Sequence, residues 1–283
     1  MRVFISADME GVTGIADPRD ILEDERAYER GQQLMVGDVN AAVQGALSAG
    51  ADDVIVNDSH WTMTNIPQEE LHEAARLIRG SSKRRLMMEG FTPDCDVVCF
   101  VGYHAKAGTP HAVLNHTMFP QMLIKIEING EEVGEMGINA GLPKHHDVPV
   151  GLVTGDDKTA AEARAVFGDD EVETVAVKDG IDRFTANSLP LPEARDKITA
   201  GAEAAVHRAN RDGFEQRTIS TPVDIEIEWA ATNHAYRAEG LTAVERTGGR
   251  TTRVTGDDYP EAYDQAMAMV NAASAAYNPM FTW

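Results

Sequence analysis

The sequence has very little cysteine. Its 283 residues include two, Cys95 and Cys99, which lie in or beside the apolar run DVVCFVG and would share one face of a strand. A disulfide framework of the kind that holds small secreted domains together is therefore excluded. Both thiols are predicted to be buried and structural, and we expect a cytoplasmic protein.

Positive charge is also scarce. Lysine and arginine together number 25, against 46 aspartate and glutamate residues, which leaves a formal net charge of -21. Nucleic acids and anionic lipid headgroups are bound through basic patches, so we expect no nucleic-acid partner and no membrane partner. The chain also lacks an apolar run of the length that a membrane-spanning helix needs, and its first residues do not follow the secretory-signal pattern.

What the chain does have is an alternation of short apolar runs with segments of helical spacing. This alternation predicts an α/β fold, with a mostly parallel sheet flanked by helices and a smaller α+β C-terminal part. We place the larger α/β domain at 1–190 and the smaller α+β domain at 191–283. The boundary is soft because no low-complexity linker separates the two.

Several segments have specific predictions. The runs RVFISAD, DDVIVND and DVVCFVGYH read as strands, and MLIKIEINGEEVG reads as a hairpin that turns at Asn129-Gly130. Between the second and third strands, PQEELHEAARLIRG at 67–80 has helical spacing and is predicted to be a helix.

Three predicted strands are followed by side chains of the kinds that can bind metals. Asp8 and Glu10 follow the first strand and, two residues apart in an extended chain, point to the same side. His60 follows the second strand in NDSH, and His104 follows the third in GYH. Because ligands of open α/β sheets bind beyond the carboxyl ends of the strands, we expect these four side chains to converge there.

Two buried carboxylates that point to the same side need a nearby positive charge. A metal ion would supply it, and mixed carboxylate and imidazole ligands suit Zn²⁺, with Mn²⁺ or Co²⁺ as possible substitutes. The four ligands suffice for two ions that share a bridging carboxylate, about 3.5–4 Å apart in such sites. Asp58, in the same NDSH motif, either orients His60 or caps a turn.

Five short motifs together resemble one known family. SADMEG, VNDSH, GYHA, NHTM and GEMGINA occur in the order and near-spacing of the zinc-dependent D-aminopeptidases of the DppA type, peptidase family M55. The similarity extends over most of the chain. The resemblance implies a metallo-aminopeptidase that removes N-terminal D-residues from short peptides, within a homodecameric ring.

The resemblance also assigns residues. It implies that Asp8, Glu10, His60 and His104 are ligands of a two-zinc site. The residues alone leave Glu131, Glu132 and Glu135 open as a fifth ligand, and the family pattern selects Glu135.

For the catalytic residue, the family pattern favours His116, which precedes Thr-Met. His111 stays a competitor, because the segment after GYHA is one residue longer than in the family.

Two other functions remain open at the level of sequence. Two-metal sites also hydrolyse other bonds, such as phosphoesters, although the motif segments offer only Lys106 as a cation for a phosphate. A non-catalytic metal-binding ring protein could keep the ligands without turnover.

Overall fold

The computed structural model describes residues 1–23, 26–211, 213–216 and 218–278. Within these ranges the chain forms two sheets with α-helices packed against them. The strands are β1 (Arg2–Ala7), β2 (Asp53–Asp58), β3 (Ala75–Ile78), β4 (Val97–Val101), β5 (Leu123–Ile128), β6 (Glu131–Val133), β7 (Val150–Asp156), β8 (Glu173–Asp182), β9 (Thr185–Ser188), β10 (Val223–Trp229), β11 (Glu245–Arg246) and β12 (Thr251–Gly256). The helices are α1 (Tyr28–Ser48), α2 (Glu135–His145), α3 (Asp157–Phe167), α4 (Leu191–Ala209), α5 (Thr232–Ala238) and α6 (Tyr259–Ser274).

The described chain packs as two compact units, and the first is built on the larger sheet. This unit consists of Met1–Ala105, Thr109–Asn115 and His146–Arg217. Its sheet has the strand order β3-β2-β1-β4-β7-β8-β9, in which β9 alone pairs antiparallel with its neighbour. The central strands are apolar on both faces, as expected of parallel strands covered by helices.

The second unit contains Lys106–Gly108, His116–His145 and Thr218–Trp283. Its sheet is antiparallel, with the order β11-β12-β10-β5-β6. In β10 the burial of side chains alternates along VDIEIEW, so one face of this sheet is covered and the other is more exposed. Helices α2, α5 and α6 belong to this unit, and the hairpin turn falls at Asn129-Gly130 as the sequence predicts.

The order of strands in the first unit reverses between β1 and β4. Chain order runs outward from β1 through β2 to β3 on one side, and from β4 through β7 to β8 on the other. In doubly wound sheets, the loops that leave the carboxyl ends of the two strands at such a reversal diverge and form the binding crevice. The residues that follow β1 and β4 are therefore placed where a binding site is expected.

The predicted fold class is confirmed. A mostly parallel sheet flanked by helices and a smaller antiparallel part are both present. The first unit also includes α4, which the soft sequence boundary assigned to the C-terminal part. Helix α4 packs on α1 so closely that a Cβ at Gly45 would lie 2.2 Å from the carbonyl oxygen of Thr199.

The prediction of a helix at 67–80 is wrong. Its first half forms turns, and Ala75–Ile78 forms β3, which pairs in parallel with β2. The side chain of Asn40 on α1 holds the preceding turn, because its amide donates to the Glu70 carbonyl at 2.9 Å and its oxygen accepts from His72 N at 2.8 Å. The open edge of β2 thus supplies backbone partners that outweigh the local helical pattern.

Both cysteines are buried and unbridged, as predicted. Burial raises the pKa of the Cys99 thiol to about 12, so this sulfur stays protonated and unreactive. Among the described residues, no helix combines the length and apolar character that crossing a bilayer demands.

Candidate metal centre

Asp8 and Glu10 lie directly beyond β1, and both carboxylates are buried. Asp8 is 2% exposed and Glu10 is 3% exposed. The loop that holds them lies against the end of β4, where Asp8 N donates to Val101 O and Gly11 N donates to Gly102 O, each at 2.8 Å. A Cβ at Gly11 would lie 1.8 Å from the Tyr103 carbonyl oxygen, so this close approach of two backbones requires glycine.

His60 extends from the loop after β2 toward both carboxylates. Its Nδ1 lies 2.9 Å from Glu10 Oε2 and 3.4 Å from Asp8 Oδ1. His104, from the loop after β4, places Nε2 at 3.5 Å from Asp8 Oδ2. Ligand atoms of Asp8, Glu10 and His60 all lie within 4.8 Å of one another. The structure therefore brings together the four strand-end residues that the sequence singles out.

The second nitrogen of each histidine is fixed by a main-chain carbonyl. His60 Nε2 donates to the Ile21 carbonyl at 3.0 Å, and His104 Nδ1 donates to the Ala105 carbonyl at 3.0 Å. A carbonyl oxygen has no proton to give, so the ring nitrogen that faces it must carry one. In the neutral ring, the other nitrogen then presents its lone pair toward the carboxylates.

This arrangement fits a metal ion. A lone pair that faces a carboxylate is repulsive unless a cation or a proton lies between them. Metal-bound histidines commonly donate their other N–H to a carbonyl, as both rings do here. The donor set of two carboxylates and two imidazoles is also one that zinc prefers.

The raised pKa of His60 indicates that the buried carboxylates favour a positive charge at this site. Burial by itself lowers the pKa of His60, but the charges and hydrogen bonds of Glu10 and Asp8 raise it well above its usual value of 6.5. The ring therefore attracts a proton when no metal is bound, because the two buried carboxylates demand a cation.

Glu135 and His116 lie together in the second unit. Glu135 is the first residue of α2, where the helix dipole favours a carboxylate, and it is buried. Its Oε1 accepts from Met118 N at 2.5 Å and lies 3.6 Å from His116 Nε2.

The competing residues lie in different surroundings. Glu131 and Glu132 are exposed on β6, and Glu132 forms an ion pair with Lys106 at 2.9 Å. His111 is exposed and its Nδ1 donates to the Ile181 carbonyl at 3.0 Å. Burial and contacts thus favour Glu135 over Glu131 and Glu132 as a candidate ligand. They also favour His116 over His111 as the candidate catalytic residue.

Asp58 caps a turn. Its carboxylate accepts from Asn65 N at 2.6 Å, Ile66 N at 2.8 Å and Asn65 Nδ2 at 2.7 Å. The same Asn65 amide donates to the His60 carbonyl at 2.7 Å, so the turn also fixes the backbone of the histidine.

Sequence reasoning missed two buried lysines beside the site. Lys83 Nζ donates to Asn57 Oδ1 at 2.7 Å and to the Asp58 carbonyl at 2.5 Å, and Lys178 Nζ donates to carbonyls in the loop after β1. Burial lowers the pKa of each lysine to about 8. The signal for Lys178 is its position directly after the apolar residues 175–177, because a charged side chain is unusual in a covered strand.

Comparison with known proteins agrees with this geometry. Residues 1–268 match the model of the Peptidase M55 family, described as D-aminopeptidase. A D-aminopeptidase of Bacillus subtilis (strain 168) is 35% identical over 274 residues, which cover 96% of this chain and 98% of that protein. The chain also resembles a solved structure, described as Zn-dependent D-aminopeptidase DppA from Bacillus subtilis, a self-compartmentalizing protease. That match has a TM-score of 0.91 at 34% identity and covers 97% of this chain and 98% of the other. The chain belongs to the M55 family of D-aminopeptidases.

Proposed function

We propose that this protein is a zinc-dependent D-aminopeptidase, a hydrolase that removes N-terminal D-residues from short peptides. The observation that supports it most strongly is the pair of buried histidines, His60 and His104, each fixed by a carbonyl and facing buried carboxylates. Membership of the M55 family and the likeness to a Zn-dependent D-aminopeptidase support the choice of zinc and of substrate.

The proposed centre holds two zinc ions per chain, for which Mn²⁺ or Co²⁺ could substitute. Its ligands are Asp8, Glu10, His60, His104 and Glu135, the last assigned by the family pattern and by its burial. Bound zinc supplies Lewis acidity, which polarises a peptide carbonyl and lowers the pKa of water. The acidic ligands also favour the free ammonium group of a peptide N-terminus, which is consistent with an aminopeptidase.

His116 is the proposed catalytic residue. It takes a proton from the water that attacks the carbonyl carbon and gives one to the amine nitrogen as the carbon–nitrogen bond breaks. In a covalent alternative, an imidazole nitrogen bonds to the carbonyl carbon, the carbon–nitrogen bond breaks, and the amine leaves with the proton that the imidazole loses. Water then hydrolyses the acyl-imidazole and restores the histidine. Glu135 Oε1 lies 3.6 Å from Nε2 of this histidine.

The assembly and location are also proposals. The solved relative is described as self-compartmentalizing, which supports a homo-oligomer here, and we propose a decameric ring. The scarcity of cysteine supports a cytoplasmic location.

Hydrolysis of a phosphoester is the less supported alternative. It would use Lys106 as the cation for the phosphate, and this lysine is paired with Glu132.

A substrate panel tests the function. We expect cleavage of short peptides with a free N-terminal D-residue, and at least tenfold lower kcat/KM for the matched peptides with an L-residue. Acetylation of the N-terminus should abolish cleavage, because it removes the ammonium group. Turnover of phosphoesters alone, or equal turnover of both chiralities, would contradict the proposal.

A metal-content measurement tests the ligand set. Asp8→Asn removes one charge from the centre, and we expect elemental analysis of the dialysed variant to find less than about half of the parent's zinc. Asp258→Asn is a control with the same chemical change, since Asp258 is the N-cap of α6 and its carboxylate accepts from Glu261 N at 2.9 Å. Asparagine is a competent helix N-cap, so this control should keep its metal. Equal zinc in both variants would exclude Asp8 as a ligand.

Paired substitutions test the catalytic residue. His116→Ala should keep its zinc and its fold while kcat falls by about 10²–10⁴-fold, the usual contribution of a general acid–base group. His111→Ala should stay within about threefold of the parent kcat, because its ring contacts the Ile181 carbonyl at the surface. The opposite ranking would assign the role to His111, and loss of zinc in His116→Ala would make His116 a ligand.

A further inference from the structure

All three N–H donors of the Lys178 ammonium group bond to main-chain carbonyls. It lies on β8 with 1% of its surface exposed. Its Nζ donates to the carbonyls of Glu10 at 2.6 Å, Val12 at 2.9 Å and Ile15 at 2.6 Å. An ammonium group has three donors and no acceptor, so Lys178 has no donor left for a substrate.

The three carbonyls belong to the stretch at 8–15, which contains both candidate carboxylate ligands and has no regular secondary structure. Lys178 thus donates to three backbone carbonyls of this loop. Other groups accept hydrogen bonds from the backbone N–H groups of the same loop. Those bonds run from Asp8 N to Val101 O, from Gly11 N to Gly102 O, and from Thr13 N to Asp38 Oδ2. The loop is fixed from two sides by residues far away in sequence.

Glu10 connects this support to the metal centre. Its carbonyl accepts from Lys178, which is 168 residues away along the chain, and its carboxylate lies 2.9 Å from His60 Nδ1. A shift of the backbone at Glu10 would therefore move its carboxylate relative to His60, the candidate ligand that follows β2. Metal affinity depends on such outer contacts, whose loss typically costs about 10–100-fold.

We propose that Lys178 is a positioning residue of the metal centre, which holds the 8–15 backbone in its metal-binding geometry before a metal binds. The proposal rests on the proposed zinc centre. Lys178 does not touch the metal or the substrate. It acts through the main chain of the loop that contains Asp8 and Glu10.

Zinc affinity of the metal-free protein tests the proposal. Lys178→Met keeps the aliphatic stem and removes the three donors. Competition with a chromophoric chelator should give a zinc Kd at least about tenfold weaker than that of the parent. The visible spectrum of the Co²⁺-loaded variant should also change, because the ligand geometry around the ion is altered.

Val177→Ala is the matched control for general loss of stability. Val177 is the adjacent residue on β8, it is fully buried, and its side chain packs in the hydrophobic core. Its zinc Kd and Co²⁺ spectrum should match those of the parent even though its Tm falls. Parent-like zinc binding in Lys178→Met, or the same loss of affinity in Val177→Ala, would overturn the positioning role. Absence of zinc binding in the parent would instead overturn the proposed function.

A measurement on the parent covers the case in which Lys178→Met does not fold. Hydrogen exchange of the segment at 8–15 should be slow in the metal-free protein and change less than about tenfold when zinc is added. Exchange that is fast without zinc and slow only with it would show that the metal orders the loop, and would overturn the proposal.

Discussion

The structure depends on the placement of two buried carboxylates, Asp8 and Glu10, at the end of a central strand. Ionised carboxylates that lose water are strongly destabilising unless positive groups surround them. Here His60 faces both carboxylates, and the ammonium of Lys178 bonds to the main chain of the same loop. The two carboxylates are thus held in a fixed position, with His60 beside their oxygens and Lys178 on their backbone. A fixed pair of buried negative charges favours the binding of a cation.

The doubly wound topology explains how side chains from distant parts of the chain reach this point. Strands β1 and β4 are parallel neighbours, so the loops after them begin beside each other at the same end of the sheet, and the strand order reverses between them. Gly11 and Gly102 allow the two loops to touch through their backbones, and a Cβ at Gly102 would lie 2.3 Å from the Asp8 carbonyl oxygen. Asp8 and His104 meet because small residues and sheet order bring their loops together.

Much of this could be predicted from sequence, because the decisive signals are local. Apolar runs located the central strands, and the polar residues that follow them located the side chains that converge beyond β1, β2 and β4. The failures come from distant contacts. The segment at 67–80 has helical spacing, yet an open edge of β2 and the side chain of Asn40 made part of it a strand. Lys178 could not be connected to Glu10, since 168 residues separate them. Glu131, Glu132 and Glu135 differ in burial, which their spacing does not show.

The most direct test of the proposed two-zinc centre is anomalous diffraction at the zinc absorption edge, from crystals of the zinc-loaded protein. We expect two peaks beyond the carboxyl ends of β1 and β4, about 3.5–4 Å apart as in other two-metal sites. Asp8, Glu10, His60, His104 and Glu135 should be the protein ligands. A single peak, no peak at this place, or ions held by other residues would contradict it.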